Sequence, residues 1–251
     1  MPNVPEQYQP IYRYIEAHAK QRPRHVALIC KAESVTYAAL WQKTEAMAIR
    51  LLRLDIIPGT HVAVFLDNSI EFAVVLLAMA RLGAVLVPLP PSLTGEHRRK
   101  ALLSADCDKV IATARIASDL VERQVFAEKD MIVYGPCLEG YHCLNDPCDK
   151  ERLAAAMLPD NVRVDNHYII TMTSGSTGSP KPIVLTQGDK LTRAFEATQK
   201  VYGLGPDEVV LVATPMHHSL ALRSTLLPLL LGGTAVILPR FTPQAWFDAI
   251  E

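Results

Sequence analysis

The sequence has no excess of charge of either sign. Lysine and arginine together number 25, aspartate and glutamate 26, and the formal net charge is −1 at pH 7. A chain balanced in this way has no broad electrostatic attraction for nucleic acid or for an anionic membrane surface. We therefore expect no nucleic-acid partner and a protein that acts on small molecules.

Long uninterrupted apolar runs are also missing. The two most apolar stretches are residues 72–87, which Arg81 and Gly83 interrupt, and residues 220–231, which are too few to cross a bilayer. The first residues, MPNVPEQYQPIYRYIEAH, lack the basic start and the apolar region of a signal peptide. We expect a cytoplasmic protein without a membrane span, in which both apolar stretches belong to the core.

Cysteines are few and odd in number: Cys30, Cys107, Cys137, Cys143 and Cys148. In a chain without an export signal they predict reduced thiols. The last three cluster with His142, but their gaps are wider than those of typical zinc-binding pairs, and His142 adjoins Cys143. We interpret this region as a loop with incidental thiols, and a zinc site is the less favoured alternative.

What the chain does contain is enough apolar material for one large core or two smaller ones. It has 251 residues, of which 49% are hydrophobic, and a chain of this size buries roughly 70% of its unfolded surface. Apolar runs predict strands at residues 26–30, 62–66, 84–87, 110–112, 131–134, 209–212 and 235–238. Between them, helices are predicted at residues 11–19, 37–54, 70–82, 95–104, 117–126, 151–157 and 189–202, and a last one begins at Pro243. This alternation predicts an α/β fold of layered, largely parallel sheets flanked by helices.

Local signals mark several of these boundaries. Ser69 and Thr94 are predicted to cap the helices that follow them, and Gly83 is predicted to end the helix of residues 70–82. The basic run 97–100 is interpreted as the solvated face of its helix, with a role in holding nucleotide phosphates as the less favoured alternative.

One loop carries the most specific chemical signal. The segment TMTSGSTGSPKP, residues 171–182, lies between two apolar runs, so we predict the tip between two short buried strands. The glycines permit close approach of the backbone, the hydroxyl side chains add donors, and the lysine adds a mobile cation. These residues are Thr173, Ser174, Gly175, Ser176, Thr177, Gly178 and Lys181. The pattern favours a polyphosphate ligand over the alternative of an ordinary surface loop, although the P-loop motif G-x-x-x-x-G-K-[ST] is missing.

The same loop resembles the phosphate loop of the adenylate-forming superfamily, written T-S-G-[ST]-T-G-x-P-K-G. This superfamily includes acyl-CoA and aryl-CoA synthetases, peptide-synthetase adenylation domains and luciferases. Residues 173–181 match the pattern at every fixed position. Pro182 stands where the family usually has glycine, and proline has no N–H to offer a phosphate.

Other segments extend the resemblance along the chain. Residues 35–40, 57–64, 82–89 and 231–236 are similar to scaffold segments of the family, in the same order. TPMHHSL, residues 214–220, resembles the P-x-x-H segment, whose histidine borders the acyl pocket. Counting from Pro215 places His218 on that histidine, with His217 as the fallback. On residues alone, a histidine pair after a strand is more often structural or solvent-facing.

The resemblance implies that residues 1–251 are the N-terminal portion of an adenylation domain. The fold would be that of an incomplete large N-terminal domain, because the family's Y-G-x-T-E motif, ribose-binding aspartate and small C-terminal domain are not found. It also implies a reaction in which a carboxylic acid attacks ATP to give an acyl-adenylate, followed by transfer to CoA or to the phosphopantetheine of a carrier protein. Mg²⁺ would be carried on ATP, with no metal ligand from this chain.

The resemblance assigns roles to individual residues. Lys181 and His218 would be catalytic. The nucleotide would be bound by Thr173, Ser174, Gly175, Ser176, Thr177, Gly178 and Lys181. The chain alone is expected to be nearly or wholly inactive. The alternatives are a non-catalytic nucleotide-binding module, or half of a split enzyme that acts through a partner. Apolar residues near 245–251 would then favour self-association or a partner.

Overall fold

The computed structural model describes residues 8–144, 157–173 and 181–250. In these ranges the α-helices are α1 (Ile11–Gln21), α2 (Tyr37–Arg53), α3 (Ile70–Leu82), α4 (Gly95–Ser104), α5 (Ala114–Glu122), α6 (Gln187–Ala194), α7 (Ser219–Leu231) and α8 (Pro243–Ile250). A π-helical turn, Phe195–Gln199, and a short helical segment, Lys200–Tyr202, continue α6. The strands are β1 (Val26–Cys30), β2 (Glu33–Thr36), β3 (His61–Phe65), β4 (Val85–Pro88), β5 (Lys109–Thr113), β6 (Met131–Tyr134), β7 (His142–Cys143), β8 (His167–Thr173), β9 (Lys181–Thr186), β10 (Val209–Val212) and β11 (Thr234–Ile237).

The strands form two sheets. The larger has the order β7-β6-β5-β3-β4-β8-β9 and the smaller the order β10-β11-β1-β2. Every pairing is parallel except β1 with β2 and β8 with β9. The predicted α/β fold with largely parallel sheets is confirmed.

Helix α3 lies between the two sheets, where it contacts β4 of the larger sheet and β1 of the smaller one. Twelve of its thirteen residues are buried, and the exception is Glu71. The Ser69 hydroxyl accepts a hydrogen bond from the Phe72 N–H, and Gly83 ends the helix in the left-handed region at φ 71°. Both predicted boundaries are confirmed, so a local start signal and a local stop signal frame the most deeply buried helix.

Some local predictions were wrong. Thr94 precedes α4 without a capping side-chain hydrogen bond. Strand β2 was not predicted, because the neighbouring segment reads as the start of α2. The predicted helix at residues 151–157 lies almost wholly outside the described residues, so it stays a prediction.

The cysteine prediction needs a correction. The structure joins Cys137 and Cys143 in a disulfide with Cα atoms 5.6 Å apart, whereas Cys30 and Cys107 are free. The chain turns back between Cys137 and β7, which brings the two thiols together. Cys148 lies outside the described residues. Among the described residues, no group of three or more histidine, cysteine, aspartate or glutamate side chains could hold a metal ion.

Candidate active site

The ends of the predicted phosphate loop lie side by side. Strands β8 and β9 pair in antiparallel fashion, with Thr173 opposite Lys181 and Met172 opposite Pro182. The intervening residues 174–180 lie outside the described residues, and with them Ser174, Gly175, Ser176, Thr177 and Gly178. The pairing brings the first and last positions of the motif, Thr173 and Lys181, to one edge of the sheet.

Strand β9 is less buried than the sequence predicts. It forms an edge of the larger sheet, and Ile183 and Val184 are 46% and 41% exposed. Only Leu185 of its apolar run is buried, so the prediction of two buried strands holds for β8 but is wrong for β9. The edge position also accommodates Pro182, because an edge strand tolerates a residue without an N–H.

A cavity of about 450 Å³ opens beside the hairpin. It is lined by Pro88, Leu89, Pro90, Leu93, His97, Ala101, Thr171, Met172, His217, His218 and Ser219. Its walls include the carboxyl ends of β4 and β8, which are parallel neighbours. Ligands of parallel sheets bind outside such carboxyl ends. We call this space the histidine cavity.

Both histidines of the predicted P-x-x-H segment line the histidine cavity. Their ring centroids lie 4.3 Å apart. His217 is half-buried, and burial lowers its pKa, with the neighbouring His218 acting in the same direction and Asp67 opposing. His218 is exposed and directly precedes α7. The structure therefore places His218, the preferred residue, and His217, the fallback, on the same wall.

Asn68 positions this histidine segment, and the sequence analysis missed it. Its side-chain amide donates to the Thr214 and Leu238 carbonyls at 3.0 and 2.9 Å, and its Oδ1 accepts from the Met216 N–H at 2.6 Å. Asn68 is only 7% exposed. A polar residue shortly after a predicted strand was the only available signal, since its partners are about 150 residues away along the chain.

The basic run after β4 divides into separate roles. His97 is exposed and lines the histidine cavity, whereas Arg98 is only 4% exposed. The Arg98 guanidinium pairs with Asp119 at 2.6 Å. The interpretation as a solvated face is therefore wrong for Arg98, which stabilises the packing of α4 against α5.

These elements define an α/β protein whose candidate site lies at the carboxyl ends of the strands of a largely parallel sheet. The model of the family described as "AMP-binding enzyme" matches residues 15–251. The chain belongs to this family, and the resemblance inferred from residues 173–181 is confirmed. None of the helices in the described ranges has the length and apolar character needed to cross a membrane.

Curated relatives agree with this assignment, and a solved structure has the same fold. The chain is 28% identical over 240 residues to an indoleacetate–CoA ligase from Aromatoleum aromaticum, covering 95% of this chain and 47% of the ligase. It is 28% identical over 243 residues to a dimodular nonribosomal peptide synthase from Bacillus subtilis, covering 94% of this chain and 10% of that protein. A long-chain-fatty-acid-CoA ligase from Archaeoglobus fulgidus has the same fold, with a TM-score of 0.83 at 19% identity, over 97% of this chain and 49% of that one. The chain thus spans about half the length of the two ligases.

Proposed function

We propose that residues 1–251 form the N-terminal portion of an AMP-forming carboxylate ligase. In the whole enzyme, a carboxylate oxygen attacks the α-phosphorus of ATP, the bond to the pyrophosphate oxygen breaks, and an acyl-adenylate forms. A thiol of CoA or of a carrier-protein phosphopantetheine then takes the acyl group and releases AMP. The observation that carries the proposal is the meeting of the motif ends, Thr173 and Lys181, beside the histidine cavity.

Each predicted site residue has a role in this proposal. The loop between β8 and β9 holds the β- and γ-phosphates through hydroxyl and N–H donors. Its residues in this role are Thr173, Ser174, Gly175, Ser176, Thr177 and Gly178. The Lys181 ammonium offsets the charge that develops on the departing pyrophosphate. His218 borders the carboxylate in the histidine cavity, and Asn68 keeps the histidine segment in place. Mg²⁺ travels with the ATP phosphates, and we assign it no ligand from this chain.

Calorimetric titration with ATP·Mg²⁺ tests the phosphate site. We expect binding that Lys181→Ala removes, because the ammonium at the end of the loop is lost. Lys200→Ala is the matched control, since Lys200 is an exposed lysine that pairs with Glu196 at 3.5 Å. Equal affinities of the wild type and Lys181→Ala would contradict the role of Lys181. Pro182→Gly, which restores a backbone N–H, is expected to strengthen binding.

A specific observation favours a contact surface as a second function. Helix α8 has no buried residue, and Trp246, Phe247 and Ile250 are 37%, 54% and 53% exposed. Phe241, just before the helix, is 57% exposed. Exposed apolar side chains of this kind favour association with another protein surface. We propose that this segment, 241–250, is covered in the working protein by further chain or by a second copy.

A further inference from the structure

A small basic pocket separate from the histidine cavity lies between α6 and α7. Its volume is about 140 Å³, and its lining residues are Lys190, Arg193, Ala194, Ser219, Leu220, Arg223 and Leu226. Three of these side chains are cationic and none is acidic. Ser219 also lines the histidine cavity, so the two spaces adjoin. Neither the family match nor the sequence motifs give this pocket a role.

Lys190 forms the buried part of the pocket. It is only 5% exposed, whereas Arg193 and Arg223 are exposed. Burial lowers the pKa of Lys190 to about 8, Arg193 and Arg223 act in the same direction, and Asp189 opposes them. The ammonium is therefore mostly protonated at neutral pH. A buried charge is costly unless an opposite charge or hydrogen-bonding group compensates it.

The acidic residue next to Lys190 is already engaged elsewhere. The Asp189 carboxylate accepts hydrogen bonds from the Thr186 N–H and hydroxyl, both at 2.8 Å, in the capping box of α6. Within the described part of the chain, no carboxylate forms an ion pair with Lys190, Arg193 or Arg223. Among the residues that the structure describes, the three cations therefore face one small space without a protein anion.

The first turn of α7 adds to the positive character of the pocket. Ser219 and Leu220 begin this thirteen-residue helix and line the pocket, and His218 provides no side-chain cap. The N-terminus of a helix carries free N–H groups and a partial positive charge, which favour an anion. This feature and the buried ammonium of Lys190 are independent, and both favour the same class of ligand.

We propose that this pocket binds a small oxyanion, a carboxylate or phosphate group, through Lys190, Arg193, Arg223 and the N-terminus of α7. The volume of about 140 Å³ is below the roughly 300–1,000 Å³ of pockets that enclose drug-sized ligands, so it suits one charged group. Two sources can supply that group. One is free inorganic anion; the other is the distal carboxylate of a dicarboxylic acid whose first carboxylate lies near His218. The second source rests on the proposed function, and the pocket itself does not.

Calorimetric titration without ATP tests the pocket, with inorganic phosphate, acetate and glutarate as probes. We expect at least one probe to bind, and Lys190→Met and Arg223→Gln to weaken its binding at least tenfold, because each removes a cation. The control is Arg163→Gln, an exposed arginine that pairs with Asp165 at 3.0 Å. Thermal unfolding of Lys190→Met should occur at or above the wild-type temperature, since the variant removes a buried cation, which separates lost binding from lost folding.

The same titrations distinguish the two sources. If the dicarboxylic acid is the source, glutarate binds at least tenfold more tightly than acetate, and His218→Ala removes that advantage while phosphate binding is unchanged. If free anion is the source, His218→Ala affects none of the probes. The proposal is overturned if no probe binds the wild type, or if Lys190→Met and Arg223→Gln bind as the wild type does. Because no ATP is present, that result leaves the ATP titration of Lys181→Ala to be judged independently.

Discussion

Helices α3 and α8 are both rich in apolar residues, but their environments are opposite. Twelve of thirteen residues are buried in α3, and none is buried in α8. The one arginine of α3, Arg81, is paired with Glu45 at 2.9 Å and donates to the Pro159 carbonyl at 2.7 Å. The two sheets and helices α1 and α2 surround α3, whereas the described residues leave the apolar side of α8 uncovered. Apolar composition therefore predicts that a segment needs a partner surface, and the rest of the chain decides whether it has one.

The largest effect on stability is expected when one phenylalanine of each helix is replaced by alanine. Phe72 in α3 is 0% exposed and Phe247 in α8 is 54% exposed. We expect Phe72→Ala to lower the free energy of unfolding by about 3–5 kcal/mol, because it leaves a cavity in a packed core. Phe247→Ala should change it by no more than about 0.5 kcal/mol. Urea unfolding of both variants measures the difference, and similar losses would show that α8 is packed in solution.

A smaller effect is expected at the helix caps. The Ser69 hydroxyl accepts from the Phe72 N–H at 3.1 Å, and the Thr242 hydroxyl accepts from the Ala245 N–H at 3.1 Å. Loss of a cap costs about 1 kcal/mol where the helix unfolds with the domain. We expect Ser69→Ala to lower global stability by about that amount. Thr242→Ala should instead speed local amide exchange in α8 and leave the global transition unchanged. A global loss for Thr242→Ala would remove the contrast.

Features that depend on local signals could be predicted from the sequence, and features that depend on distant parts of the chain could not. The bounds of α3 were predicted to the residue because an apolar run, a serine cap and a stop glycine are all local signals. The exposure of β9 depends on its position at the sheet edge, and the role of Asn68 depends on carbonyls far along the chain. The family resemblance of residues 173–181 was recognised from their pattern of residue types, which requires no knowledge of neighbouring residues. The basic pocket was missed because Lys190 and Arg223 come together only when α6 packs against α7.

The smallest effect on stability is expected for a substitution in segment 241–250 that prevents two copies from associating. Segment 241–250 presents Phe241, Trp246, Phe247 and Ile250 to solvent. If two copies associate and each buries segment 241–250 of the other, the sedimentation coefficient of the wild type should rise with concentration. Phe247→Asp places a charge in that contact, so it should sediment as a monomer at all concentrations, with a free energy of unfolding within about 0.5 kcal/mol of the monomeric wild type.

Leu103→Asp is the matched control, because Leu103 is 60% exposed on α4. A concentration dependence that Phe247→Asp and Leu103→Asp both retain would show that the association uses another surface. A wild type that is monomeric at all concentrations would contradict association of two copies through this segment.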